Sequence, residues 1–94
     1  MTRNELVDQI LYIMDKMTDV LDKGKEPEIK SFKVDDKYTI EVEADVLVDH
    51  VDTWKVYLKE HSEYVSNVTI NDYDDIQVFE DEINHLLDLR DVCK

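Results

Sequence analysis

Apolar residues recur at helical spacing in the first quarter of the chain. Leu6, Val7, Ile10, Leu11, Ile13, Met14, Met17, Val20 and Leu21 fall on one side of a helix predicted over Asn4–Lys23. Gly24, the one glycine, follows as a C-cap, with Lys23 in the last turn and Pro27 just beyond. The period then drops from about 3.6 to 2. In "SFKVDDKYTIEVEADV" two alternating runs flank Asp35-Asp36-Lys37, which predicts a hairpin. Its second strand places Tyr38, Ile40, Val42, Ala44, Val46 and Val48 on one face. Glu41, Glu43, Asp45 and Asp49 fall on the other.

The segment "TWKVYLK" reads two ways. As a strand it turns Trp54, Val56 and Leu58 inward and Lys55, Tyr57 and Lys59 outward; as a helix, Val51, Trp54, Leu58 and His61 share a face. Its Thr, Trp, Val and Tyr content favours the strand. The outward lysines could also pair across an antiparallel neighbour with Glu41, Glu43 or Asp45. "YVSNVTI" supplies a fourth strand, with Tyr64, Ser66, Val68 and Ile70 on one side. From Asp74 to Asp91 the stripe Ile76, Phe79, Ile83, Leu86, Leu87 predicts a second helix, which "IQVF" would shorten if it prolonged the sheet.

The expected architecture is α+β, in the order α-β-β-β-β-α, with an antiparallel four-stranded sheet and both helices on one face. The alternative, with residues 50–63 helical, is α-β-β-α-β-α. Residues 1–94 read as a single acidic domain, without repeat, linker or low-complexity tract.

Charge changes the picture more than composition does. With 24 acids against 11 bases the chain carries a formal charge of -13. Such a surface repels phosphate, which excludes direct nucleic-acid binding and disfavours anionic membranes. The N-terminal apolar segment is interrupted by acids, so it is neither a signal peptide nor a membrane span. The lone cysteine, Cys93, cannot form an internal disulfide. A reducing, cytoplasmic setting is expected.

Candidate chemistry is weak. Glu82 and His85 stand one helical turn apart, at metal-ligand spacing, but no second such pair completes a di-metal set. "NDYDDIQVFEDE" resembles a calcium loop only superficially. Counted from Asp72, the sixth residue is Gln77 rather than glycine and the twelfth is Ile83; counted from Asn71, Tyr73 occupies a ligand position. His85 with Cys93 would place a nucleophile at a chain end, where geometry is poorly held. No Gly-rich loop can cradle phosphate. Neither an enzyme nor a cofactor is expected.

What remains is the distribution of carboxylates. Asp72, Asp74, Asp75, Glu80, Asp81, Glu82 and Asp88 follow one another with no Lys or Arg between them. Carboxylates at a helix start serve as caps, a benefit that fades beyond the first turn. The first helix adds Glu5, Asp8, Asp15, Asp19 and Asp22, with Tyr12 among them, and Asp15 and Asp19 repel at i,i+4. Outward residues of a strand recur about every 6.6–6.8 Å, on the order of the phosphate spacing along a nucleic-acid strand. Glu41, Glu43 and Asp45 could thus stand in for successive phosphates, unless Lys55 and Lys59 neutralise them.

In length and charge the chain resembles the small DNA-mimic inhibitors that bacteriophages direct against restriction, CRISPR or host DNA-processing enzymes. That resemblance implies an inhibitor that occupies the basic nucleic-acid site of another protein; the sequence leaves monomer and dimer both open. An immunity protein or antitoxin neutralising a basic toxin would use the same electrostatics. An acidic accessory or oligomeric protein would use the surface for solvation alone. Two candidate surfaces stand out: the strand row Glu41, Glu43 and Asp45, and the C-terminal cluster of Tyr73 with Asp72, Asp74, Asp75, Glu80, Asp81 and Glu82. The cluster has the stronger claim, having no positive neighbour in sequence before Arg90.

Overall fold

The computed structural model describes residues 2–48 and 50–92, with the backbone alone for Val92. Asp49 and Cys93 lie outside the described residues. The elements run α1 (Arg3–Asp22), β1 (Lys30–Lys33), β2 (Tyr38–Leu47), β3 (His50–Glu60), β4 (Glu63–Asn71) and α2 (Ile76–Val92). The sheet is open and antiparallel, in the order β1-β2-β3-β4. Residues 50–60 are strand, as the composition of "TWKVYLK" predicts, and "IQVF" is helical.

Both ends of α1 are fixed locally. Thr2 and Glu5 form a reciprocal capping box at the start. At the end, Gly24 takes φ 81° and donates its N–H to Leu21 O at 2.9 Å, while Lys25 N–H reaches Val20 O at 3.1 Å. These two bonds make a Schellman motif, which needs a residue tolerant of the left-handed region.

One face of the sheet is covered by helix and the other is not. Ile40 and Val42 of β2, Trp54, Val56 and Leu58 of β3, and Val68 and Ile70 of β4 are buried with Leu6, Ile10, Met14 and Met17 of α1 and Ile83, Leu86 and Leu87 of α2. The helices run antiparallel. Arg3, at the start of α1, binds Asp88 Oδ1 at 2.8 Å and also Asp91, near the end of α2. Those two acids sit at the negative end of the α2 dipole, and Arg3 with Arg90 offsets them there. Among the described residues no helix is long and apolar enough to cross a membrane.

Two irregularities correct the expected facing. The register of β3 against β4 shifts between Leu58 and Lys59, so Leu58 opposes Ser66 while Lys59 opposes Tyr64. Val65 is the extra residue, and Tyr64 passes to the open face, away from Ser66, Val68 and Ile70. A second shift lies between Asp45 and Val46, where Val46 opposes Val51. Val51 is buried there, but Val46 and Val48, both expected in the core, are exposed: Val48 turns out of the strand with φ 62°. Ile76 also departs from the expected stripe. It begins α2 and is exposed, because the helix meets the sheet only from Phe79 onward.

Candidate partner-binding surface

The strand row is present but compensated. Glu41, Glu43 and Asp45 all point to the open face, with Lys33, Lys55 and Lys59 on the same face by register. Lys59 Nζ lies 3.6 Å from Glu41 and Lys55 Nζ 3.7 Å from Asp45. Tyr64 donates its hydroxyl to Glu41 at 3.1 Å and Thr53 donates to Asp45 at 3.1 Å. Glu43 stands opposite Lys55 in register. Among the described residues of β1, β2 and β3, these three carboxylates face three lysines and their charges offset, in a chain of charge -13.

The same face carries an aromatic pair. The rings of Tyr57 and Tyr64 meet edge to face at 5.1 Å, and Lys59 lies over the Tyr64 ring at 4.9 Å. The bond to Glu41 holds the Tyr64 phenol protonated and raises its pKa, with partial desolvation adding to the shift. Desolvation, then the Glu43 charge, raises the Tyr57 pKa.

The C-terminal cluster is divided by its own geometry. Asp72, Asp74 and Asp75 sit in the turn between β4 and α2, and each is held by a structural bond. Asp72 Oδ1 accepts the Trp54 indole N–H at 2.8 Å, Asp74 Oδ2 accepts the Asn71 N–H at 3.3 Å, and Asp75 Oδ1 caps α2 through the Val78 N–H at 3.1 Å. One turn later Asp81 accepts the Gln77 side-chain amide at 2.9 Å. At about 100° per residue, Glu82 lies some 200° round the helix from Glu80. Only two positions apart in sequence, these two acids face opposite flanks. Tyr73 is 83% exposed.

Tertiary packing assembles a different group. Glu80 and Asn84 on α2 line a recess of ≈ 300 Å³ with Asn4, Val7 and Asp8 on α1. Further along, Asp15, Asp72 and Asp74 edge a second recess of ≈ 350 Å³, floored by Leu11, Met14, Trp54, Ile76 and Phe79. Asp8 and Asp15 are two turns apart on one side of α1, about 10 Å along its axis. The result is a seam of carboxylates between the two helices. Among the described residues no ion pair engages Asp8, Asp15, Asp72, Asp74, Asp75, Glu80 or Asp81. The pairs formed among these residues lie on the open face, beside β1, between the β1–β2 turn and the end of β3, or at the Arg3 end.

Asp8 and Asp15 are missed by a reading that ranks acids by their density in sequence. Their signal is the seven-residue spacing, which keeps them on one helix flank. No group of three or more His, Cys, Asp or Glu among the described residues is arranged to hold a metal ion. No family model matches the chain, and no curated protein or solved structure is significantly similar to it.

Proposed function

We propose that this chain is a small acidic inhibitor that binds the basic nucleic-acid-binding surface of another protein and keeps nucleic acid out. It acts by occupancy rather than catalysis, inside the cell, in the manner of a phage-type DNA or RNA mimic. The observation that carries this reading is the separation of charge over the fold. Among the described residues, Glu41 and Asp45 on the open face lie beside lysines, whereas Asp8, Asp15 and Glu80 of the seam and Asp72, Asp74 and Asp75 of the β4–α2 turn form no ion pair. A surface shaped only for solubility intersperses both signs. Unpaired carboxylates on packed helices keep their field and steer a basic partner toward them.

The seam, not the strand row, presents the negative charge. The experiment is capture of partners on the immobilised protein at low salt, followed by assay of each captured protein for nucleic-acid binding with and without the inhibitor. Partners that bind nucleic acid and lose it in the presence of the inhibitor support the reading. Partners that keep their nucleic acid, or that bind the inhibitor equally at low and high salt, overturn it.

A further inference from the structure

The connection between β2 and β3 is built against its own backbone preference. Leu47 pairs with His50, so only two residues join the strands. Two-residue hairpins of this kind favour Gly, Asn or Asp where φ is positive. Val48, at the first connecting position, has φ 62° and is 90% exposed. A β-branched residue in the left-handed region is strained, and here no packing offsets the strain. Leu47 and Val46 beside it are exposed as well.

The same end of the sheet carries the β4–α2 turn. Asp72 N–H donates to Asp52 O at 3.0 Å, which places the turn beside the start of β3. Tyr73, and Ile76 at 61% exposure, therefore join Val46, Leu47 and Val48 at one end of the molecule. Asp52, Asp72, Asp74 and Asp75 are gathered there with no ion-pair partner among the described residues. Apolar residues ringed by charge have the layout of an interface core and its polar rim, and Tyr73 is of the type enriched at hot spots.

We infer that this end is the anchoring point of the interface and that its occupant is a basic protein surface with an apolar pocket in it. Leu47 and Val48 enter the pocket, and the surrounding carboxylates meet lysines or arginines at its edge. Charge complementarity selects this occupant. A second copy would bring the same four aspartates against themselves, and an anionic membrane would be repelled. A plain phosphate-binding groove would use the carboxylates but has no use for the strained valine.

This inference rests on the basic partner proposed above, and two probes separate the two claims. One is a peptide of alternating lysine and leucine, the other an oligolysine of equal charge, each titrated into isotope-labelled protein by NMR. The expected result is that the mixed peptide binds about tenfold more tightly than oligolysine, about 1.4 kcal/mol, with shifts centred on residues 46–48 and 73. Leu47→Ser and Val48→Gly should each remove most of that advantage. Val48→Gly should also raise the thermal midpoint, because it relieves the turn, so a lost advantage would not reflect misfolding. Equal affinity for the two peptides, or an advantage that survives both substitutions, overturns the anchor while leaving a charge-driven partner in place. Failure of both peptides to bind overturns both claims. A concentration-dependent dimer that Leu47→Ser dissolves would show that a second copy covers the patch, and would also overturn the anchor.

Discussion

The indole N–H of Trp54 donates to the carboxylate of Asp72 at 2.8 Å. This bond joins the largest buried side chain, 1% exposed, to the first acid of the β4–α2 turn. The turn thereby has a structural duty as well as a charge. Asp72→Ala should leave a buried donor without its acceptor and cost about 1–3 kcal/mol. At about 4–8 °C per kcal/mol for a domain near this size, the loss is easily read by thermal denaturation. Asp72→Asn keeps an acceptor oxygen and should cost markedly less. Equal losses for the two variants would mean that the charge, not the hydrogen bond, matters at this position.

On the open face the lysines stabilise the sheet by neutralising the strand row. Lys55 stands opposite Glu43 and close to Asp45. Lys55→Glu should therefore destabilise the fold by about 0.5–1 kcal/mol, through like charges placed across a strand pair. Chemical denaturation would show a lower midpoint at an unchanged slope.

The tyrosines of that face titrate above their ordinary range. A neutral Tyr64 phenol donates to Glu41, so the folded state holds its proton to higher pH than the unfolded chain does. The folded pKa is raised, so this contribution is fully present below the unfolded value near 10.0 and is lost as pH rises through the folded one. Stability of the wild type should accordingly fall above about pH 10. Tyr64→Phe, which has no proton to lose at that position, should fall less steeply over the same window in pH-dependent melting.

Salt should act in opposite directions on folding and on binding. A charge of -13 opposes the compact state through self-repulsion, so screening it should raise the thermal midpoint of the isolated protein. The same screening should slow association with a basic partner. Calorimetry and stopped-flow association across one salt series would show the two trends. A melting temperature that falls with added salt would mean that local ion pairs outweigh the global repulsion.

Much of the architecture was legible because long stretches keep one period. The helical repeat from Leu6 to Met17, the alternation from Tyr38 to Val42 and the inward trio Trp54, Val56 and Leu58 all occupy the expected faces. The period fails at the bulges. One extra residue exchanges the two faces of a strand, and nothing in "EYVSNV" marks Val65 as that residue. Tyr64 is therefore misplaced by alternation alone. The exposure of Val46 and Val48 is hidden for a different reason: hydropathy shows that a residue is apolar, not that Val48 leaves the strand for a turn or that Val46 is left open beside it. At the candidate surface, run length in sequence overstates the set Glu80, Asp81 and Glu82, which the helix splits between flanks. It also overlooks Asp8 and Asp15, which reach Glu80, Asp72 and Asp74 only through the packing of α1 beside α2.

The most direct test places the protein in competition with nucleic acid. A captured basic partner is loaded with a fluorescent oligonucleotide, and anisotropy is followed as the protein is added. The wild type should displace the oligonucleotide completely. Asp15→Lys with Glu80→Lys, on the seam, should raise the concentration needed far more than Glu41→Lys with Glu43→Lys, on the compensated strand. Displacement that survives reversal of the seam but is abolished by reversal of the strand would overturn the proposed function, as would a ternary complex in which the oligonucleotide stays bound.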